Sequence, residues 1–286
     1  MRGFAQLIVL HLLLPVRSAL LPPTLSRRVV DVQLATGISI SVVEVADWEW
    51  WEKQSNDDSS NPHGAKLWPA AVACARFITA RPQLLEGKSV LELGCGNGLC
   101  SLAAARAGAP SVLATDLSTD ALGLTREACE LNALPALQTM PFDVGSREPL
   151  PAADVVVCAD MLYDETLAKL VARRVVEASK KGAWVIVGTD LQRGPRYVFL
   201  DTLRELRPDS PSSFEESHSV ALKAVGCASP EARTSQIDLC HSPLPLGGIQ
   251  FPYIPVLDSL RPRAGKEKNV GLLQLNAPDD GDGHSI

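Results

Sequence analysis

From residue 29 to residue 45 apolar and polar positions alternate on both sides of Thr36-Gly37, which predicts a β-hairpin. A mostly polar stretch follows to residue 63, with the run Asn56-Asp57-Asp58-Ser59-Ser60-Asn61-Pro62, and predicts a flexible loop. Residues 68–79 read as a helix with Pro69 in its first turn. Beyond residue 88 the pattern becomes regular. Short apolar runs at 89–93, 111–115, 137–142, 154–159 and 183–188 alternate with helical stretches at 99–107, 119–132, 165–180 and 196–206. Thr119 is the expected cap of the second of these helices. The runs are rich in Val, Leu and Ala rather than alternating, as in strands covered on both faces, so an α/β fold with a parallel sheet between helices is predicted. Residues 270–275 predict a last strand. Residues 208–248 are rich in Ser and Pro and match no element, and residues 277–286 read as a disordered acidic tail.

The first run ends in Val90-Leu91-Glu92-Leu93-Gly94-Cys95-Gly96-Asn97-Gly98-Leu99. Three glycines between a strand and a helix let backbone approach a ligand and adopt positive φ. The helix that follows aims free N–H groups at the same place. A dinucleotide site uses G-x-G-x-x-G; the spacing here is G-x-G-x-G. Glu92, two residues before Gly94, suits a ligand with a cationic amino group and repels a pyrophosphate. This favours S-adenosylmethionine over NAD. In the same reading the Cys95 backbone amide touches the cofactor, and its thiol takes no part. Asp116, 22 residues after Gly94 at a strand end, can accept from both ribose hydroxyls, with Leu117 beside it. Asp143, after Phe142, can accept from an adenine amino group while Val144 packs on the base. Any one of these residues also has a plain packing or capping role; the set in this order is what points to the cofactor.

Composition narrows the partners. The chain has 286 residues, 46% hydrophobic and 21% charged, enough for one good core. A net charge of −6 argues against nucleic acid as the main partner. Seven scattered cysteines, with no Cys-x-x-Cys pair and no Cys/His cluster of zinc spacing, read as buried reduced thiols, and no metal site is expected. His11, His63, His218, His241 and His284 are isolated and read as ordinary surface or core residues. Trp48, Trp50 and Trp51 lie beside acids and read as hairpin packing or as a lip for the acceptor. The apolar run at 7–14, followed by Arg17-Ser18-Ala19, reads as a signal peptide too short to span a bilayer. The basic, acid-poor stretch 20–28 then resembles the second half of a bipartite plastid address, with the cytoplasm or the secretory pathway as alternatives. The expected division is a targeting segment at 1–28, hairpin and loop at 29–63, the main domain at 64–276 and the tail at 277–286, in a monomer.

With these residues in place, the chain resembles the seven-strand, S-adenosylmethionine-dependent methyltransferases, and within them the protein-lysine branch. Two further segments carry the likeness. Gly64-Ala65-Lys66-Leu67-Trp68-Pro69 precedes the glycine strand, and in relatives the matching Trp covers the cofactor. Ala159-Asp160-Met161-Leu162-Tyr163 resembles the branch's Asp-x-x-Tyr signature. The likeness runs from about residue 68 to residue 188. It implies a Rossmann-like, seven-stranded, mostly parallel sheet, with Trp68, Glu92, Gly94, Cys95, Gly96, Asn97, Gly98, Asp116, Leu117, Asp143, Val144 and Ala159 around the cofactor. It implies a protein lysine as acceptor, with Asp160 accepting a hydrogen bond from the amine and the Tyr163 ring facing the cationic centre. A histidine or small-molecule N-methyltransferase, an NAD-dependent oxidoreductase and a non-catalytic binding module are the competing readings.

Overall fold

The computed structural model describes residues 26–47, 52, 62–134, 137–220, 234–236, 244–246, 249–251 and 268–277. The expected targeting segment before residue 26, the tryptophans at 48, 50 and 51, and the tail beyond residue 277 lie outside them. So do His11, His241, His284, Cys227 and Cys240.

The hairpin forms as predicted, β1 (Arg27–Ala35) antiparallel to β2 (Ile38–Val45), with Gly37 at φ 74° in the turn. Helix α1 (Pro69–Thr79) starts one residue after Trp68, whose extended backbone (φ −113°, ψ 146°) is what a following proline demands. Then come β3 (Ser89–Leu93), α2 (Leu99–Arg106), β4 (Ser111–Asp116), α3 (Thr119–Leu131), β5 (Leu137–Pro141), β6 (Val155–Ala159), α4 (Glu165–Lys180), β7 (Trp184–Asp190) and α5 (Pro195–Leu206). The cap of α3 is Ser118, not Thr119: its Oγ accepts from the Ala121 amide at 3.2 Å, and Thr119 is already helical. The span that matched no element contains β8 (Glu215–Val220), β9 (Thr234–Gln236) and β10 (Leu244–Leu246). Strands β11 (Ile249–Phe251) and β12 (Lys268–Leu275) complete the chain.

Seven strands form the main sheet in the order β5-β4-β3-β6-β7-β12-β8. The pairs from β5 to β7 are parallel, and β12 runs antiparallel to both neighbours. Alternate residues of one strand feed opposite layers. Val155 and Val157 face α1, α2, α3 and the hairpin, whereas Val156 and Cys158 face α4 and α5. Because β3 to β5 grow one way and β6 to β7 the other, the topological switch lies between β3 and β6, where the carboxyl ends of the strands open a crevice.

The hairpin is sewn to this core. Asn132 Nδ2 donates to the Ser41 carbonyl at 2.7 Å, and the Ser41 amide donates back to Asn132 Oδ1 at 3.1 Å. Buried Glu44 accepts from Arg28 Nε and Nη2 at 2.9 and 2.7 Å. The same carboxylate takes the Leu67 amide, and so fixes the segment that leads into Trp68.

Candidate active site

The glycine turn lies at the crevice. Gly94, Gly96 and Gly98 have φ of 63°, 54° and 79°, all left-handed. A β-carbon on Gly94 would lie 2.2 Å from Met161 Sδ, and one on Gly96 would lie 3.2 Å from the Gly64 carbonyl oxygen. Gly98 has a different neighbour. It precedes the first residue of α2, and a β-carbon there would meet Thr125 Cγ2 at 2.5 Å. It is not among the residues that line the cleft.

That cleft holds about 240 Å³. Of the predicted site residues, Trp68, Glu92, Gly94, Cys95, Gly96, Asn97, Asp116, Leu117, Asp143, Val144, Ala159, Asp160 and Tyr163 all line it. Asp116 Oδ2 accepts from the Gly96 amide at 2.9 Å and Oδ1 from the Ser118 amide at 2.8 Å, and the Leu117 amide also acts on this carboxylate. Burial pushes its carboxyl above the usual range, against the pull of these amides. Leu117 beside it is 52% exposed, an apolar surface waiting at a strand end. Asn97 is buried, and its Nδ2 has no hydrogen-bond partner, an orphan donor beside the cleft. Asp143 Oδ1 accepts from the Gly145 amide at 2.7 Å and closes its own turn. The Cys95 amide, expected to touch the cofactor, instead donates to the Thr115 carbonyl at 2.8 Å, because the start of the turn continues the ladder to β4.

Glu92 lies beneath the turn, 1% exposed. Its Oε2 accepts from the Ser101 amide at 2.8 Å and the Ser101 hydroxyl at 2.5 Å, so half of the carboxylate serves the first turn of α2. Burial pushes this carboxyl up to about 7. The folded chain then holds the proton more tightly than the unfolded one. Stability from this group is fully present below about pH 4.5 and is lost as pH rises through 7. The loss amounts to roughly 3 kcal/mol. Glu92→Gln is neutral throughout and keeps a carbonyl acceptor for Ser101. The melting temperature of the ligand-free variant should therefore gain on wild type as pH rises from about 5 to 8. A constant difference would count against a buried, titrating Glu92.

The other end of the cleft gathers residues from three segments. Asp160 follows β6 at φ 58° and is 7% exposed. Its Oδ2 accepts weakly from the Ala70 amide at 3.5 Å, and Oδ1 lies 3.0 Å from Arg193 Nε. Burial raises this carboxyl, and the Arg193 charge opposes the rise. Tyr163 is 43% exposed. His63, read from the sequence as ordinary, stands between the aromatic groups, 6.1 Å from the Trp68 ring and 6.2 Å from the Tyr163 ring. Trp68 Nε1 donates to the His63 carbonyl at 2.7 Å. Gly64, Lys66, Met161 and Arg193 also line the cleft without having been singled out in sequence. Gly64 and Lys66 lay inside a recognised segment; Arg193, on the turn after β7, carried no signal at all.

The five cysteines among the described residues are all free thiols, four of them buried. No helix among the described residues is long and apolar enough to cross a membrane.

Comparison with known proteins agrees with this geometry. A family described as lysine methyltransferase matches residues 52–205. The electron transfer flavoprotein beta subunit lysine methyltransferase of Xenopus laevis is 34% identical over 171 residues, 59% of this chain and 68% of that one. Its Homo sapiens counterpart is 37% identical over 119 residues, 42% of this chain and 45% of its own, so less than half of the human protein is spanned. The histone-arginine methyltransferase METTL23 of Homo sapiens is 30% identical over 103 residues, 34% of this chain and 54% of that one.

Proposed function

The chain belongs to the lysine methyltransferase family, and from that premise we propose that it methylates a lysine side chain of a protein in the cleft beyond β3, β4 and β6. The cofactor of this enzyme is S-adenosylmethionine, which when bound supplies an electrophilic methyl group on a sulfonium sulfur. The residues present fit it. Gly94 and Gly96 leave a cradle that β-carbons would fill, Asn97 offers an unmatched buried donor, and Asp116 brings a carboxylate to the cleft.

The observation that carries the acceptor reading is Asp160, a buried carboxylate at the far end of the same cleft, with the Trp68 and Tyr163 rings lining it too. A lysine reaches Asp160 as the ammonium, and because the nucleophile needs its lone pair, a proton must pass to water before transfer. Asp160 then orients the amine by accepting one N–H, and offsets the charge that develops on nitrogen as the new bond forms. The aromatic rings favour that cation by about 0.5–2 kcal/mol each. Positioning is the main contribution, because the reaction is an in-line displacement that rewards correct alignment. At the cofactor end, Glu92 Oε1 takes the ammonium group, Asp143 the adenine amino group, and Leu117 and Val144 the faces of the base.

Tritium transfer from labelled S-adenosylmethionine to a lysate of the source organism tests this, with the electron transfer flavoprotein β subunit as the first purified acceptor to try. Label on a protein, recovered as methyllysine after digestion, is expected. Label on methylarginine, on histidine or on a small molecule would overturn the acceptor.

A further inference from the structure

Arg193 brings a cation to the acceptor end of the cleft, and it is held unlike the other arginines that meet carboxylates in the interior. Its Nε lies 3.0 Å from Asp160 Oδ1. Neither atom has a hydrogen-bond partner, because the N–H is not aimed at the oxygen. Its guanidinium carbon also lies 5.4 Å from the centre of the Trp68 ring, and its charge is felt by His63. Elsewhere the protein does this differently. Arg28 grips Glu44 with two nitrogens, and Arg174 donates to the carbonyls of Val144, Ser146 and Glu148 as well as to Glu177. Forked, charge-assisted pairs of that kind are the strong ones; the Arg193 contact is charged but unforked.

The partners also differ in access to water. The Arg193 side chain is 23% exposed and that of Asp160 is 3% exposed. When the pair opens, the arginine has somewhere to go and the aspartate does not. The backbone under Arg193 is braced meanwhile. Its amide donates to the Asp190 carbonyl at 3.0 Å, Asp190 Oδ1 accepts from the Gln192 amide at 2.9 Å, and Oδ2 accepts from Lys268 Nζ at 2.8 Å. A fixed turn thus carries a loosely seated side chain.

We propose that Arg193 is a resident cation in the seat of the acceptor's ammonium, and that a lysine enters by displacing it from Asp160. This rests on the reading of Asp160 as the acceptor-binding carboxylate. It gives the residue two effects. Between turnovers Arg193 spares the chain an unpaired buried charge, which is strongly destabilising. During selection it sets a threshold: only a side chain with a positive charge of its own can replace it, so neutral side chains leave the seat closed.

The test uses n-butylammonium, the head of a lysine side chain, titrated against the full-length protein saturated with S-adenosylhomocysteine near pH 9, where an alkylamine of pKa ~10.4 is still charged. Arg193→Leu should bind it at least tenfold more tightly than wild type, Arg193→Lys should bind it like wild type, and neutral n-pentanol should show no such gain. Arg193→Gln carries the same expectation if the leucine variant fails to fold. Unchanged or weaker amine binding in the leucine or glutamine variant, or an equal gain for n-pentanol, overturns the exchange. The affinity for S-adenosylhomocysteine, measured in the same series, separates the two ideas: a wild type that binds it with no amine effect loses only the exchange, and a wild type that does not bind it loses the methyltransferase site.

Discussion

Gly96→Val should lower the affinity for S-adenosylmethionine by more than about a hundredfold, equivalent to about 2.8 kcal/mol. Gly96 sits at φ 54°, where an L side chain costs roughly 1–2 kcal/mol and a β-branched one more. Its new β-carbon would press on the Gly64 carbonyl at 3.2 Å, and that neighbour is backbone. The segment holding Gly64 cannot retreat easily, since the Leu67 amide is tied to Glu44 and Trp68 Nε1 to the His63 carbonyl. Relief by turning residue 96 would instead break the amide contact to Asp116 and move the carboxylate assigned to the ribose. Calorimetric titration with S-adenosylmethionine checks this, with circular dichroism to show that the sheet persists. A folded valine variant of wild-type affinity would remove the glycine turn from the cofactor site.

Asp160→Asn should reduce kcat by about 10²-fold or more, as misplacement of a reacting group does, while cofactor affinity changes less than about threefold. Asparagine is the right replacement because the backbone is at φ 58°, which Asp and Asn tolerate better than Ala. It preserves volume and one carbonyl acceptor. What it removes is the charge, and with it the means to offset the cation that forms on the acceptor nitrogen. It also leaves Arg193 facing a neutral amide. Kinetics on the acceptor found in the lysate, beside cofactor titration, give the two numbers. Wild-type turnover would take Asp160 out of the acceptor site.

Both expectations start from residues that could be picked out before any coordinates. The glycine turn and Asp116 were legible because each is a local pattern, a glycine spacing or an acid at a strand end, whereas the Asp-x-x-Tyr segment came from the family resemblance. β6 was legible for the same reason, its five residues Val155–Ala159 being apolar on both faces. β8 was not. Glu215-Glu216-Ser217-His218-Ser219-Val220 is polar and lies at the edge of the sheet, so it carries none of the apolar run by which the inner strands were recognised. The cap of α3 was misplaced by one residue because Ser118 and Thr119 are both accepted cap types, and the path of the chain chooses between them.

Alternation and glycine spacing, read along the chain, thus determined the order of elements as far as α5, the α/β class and the glycine turn at the crevice. The tertiary structure decided that Glu44 of the hairpin anchors the approach to Trp68, that His63 joins the aromatic wall, that Glu92 shares its carboxylate with α2 and that Arg193 meets Asp160. The reason is geometric. Periodicity reports which face of an element is buried, a property of neighbours in sequence. Which loops meet at the carboxyl edge depends on the strand order, and that order places the ends of β6 and β7 side by side although a whole helix separates them along the chain.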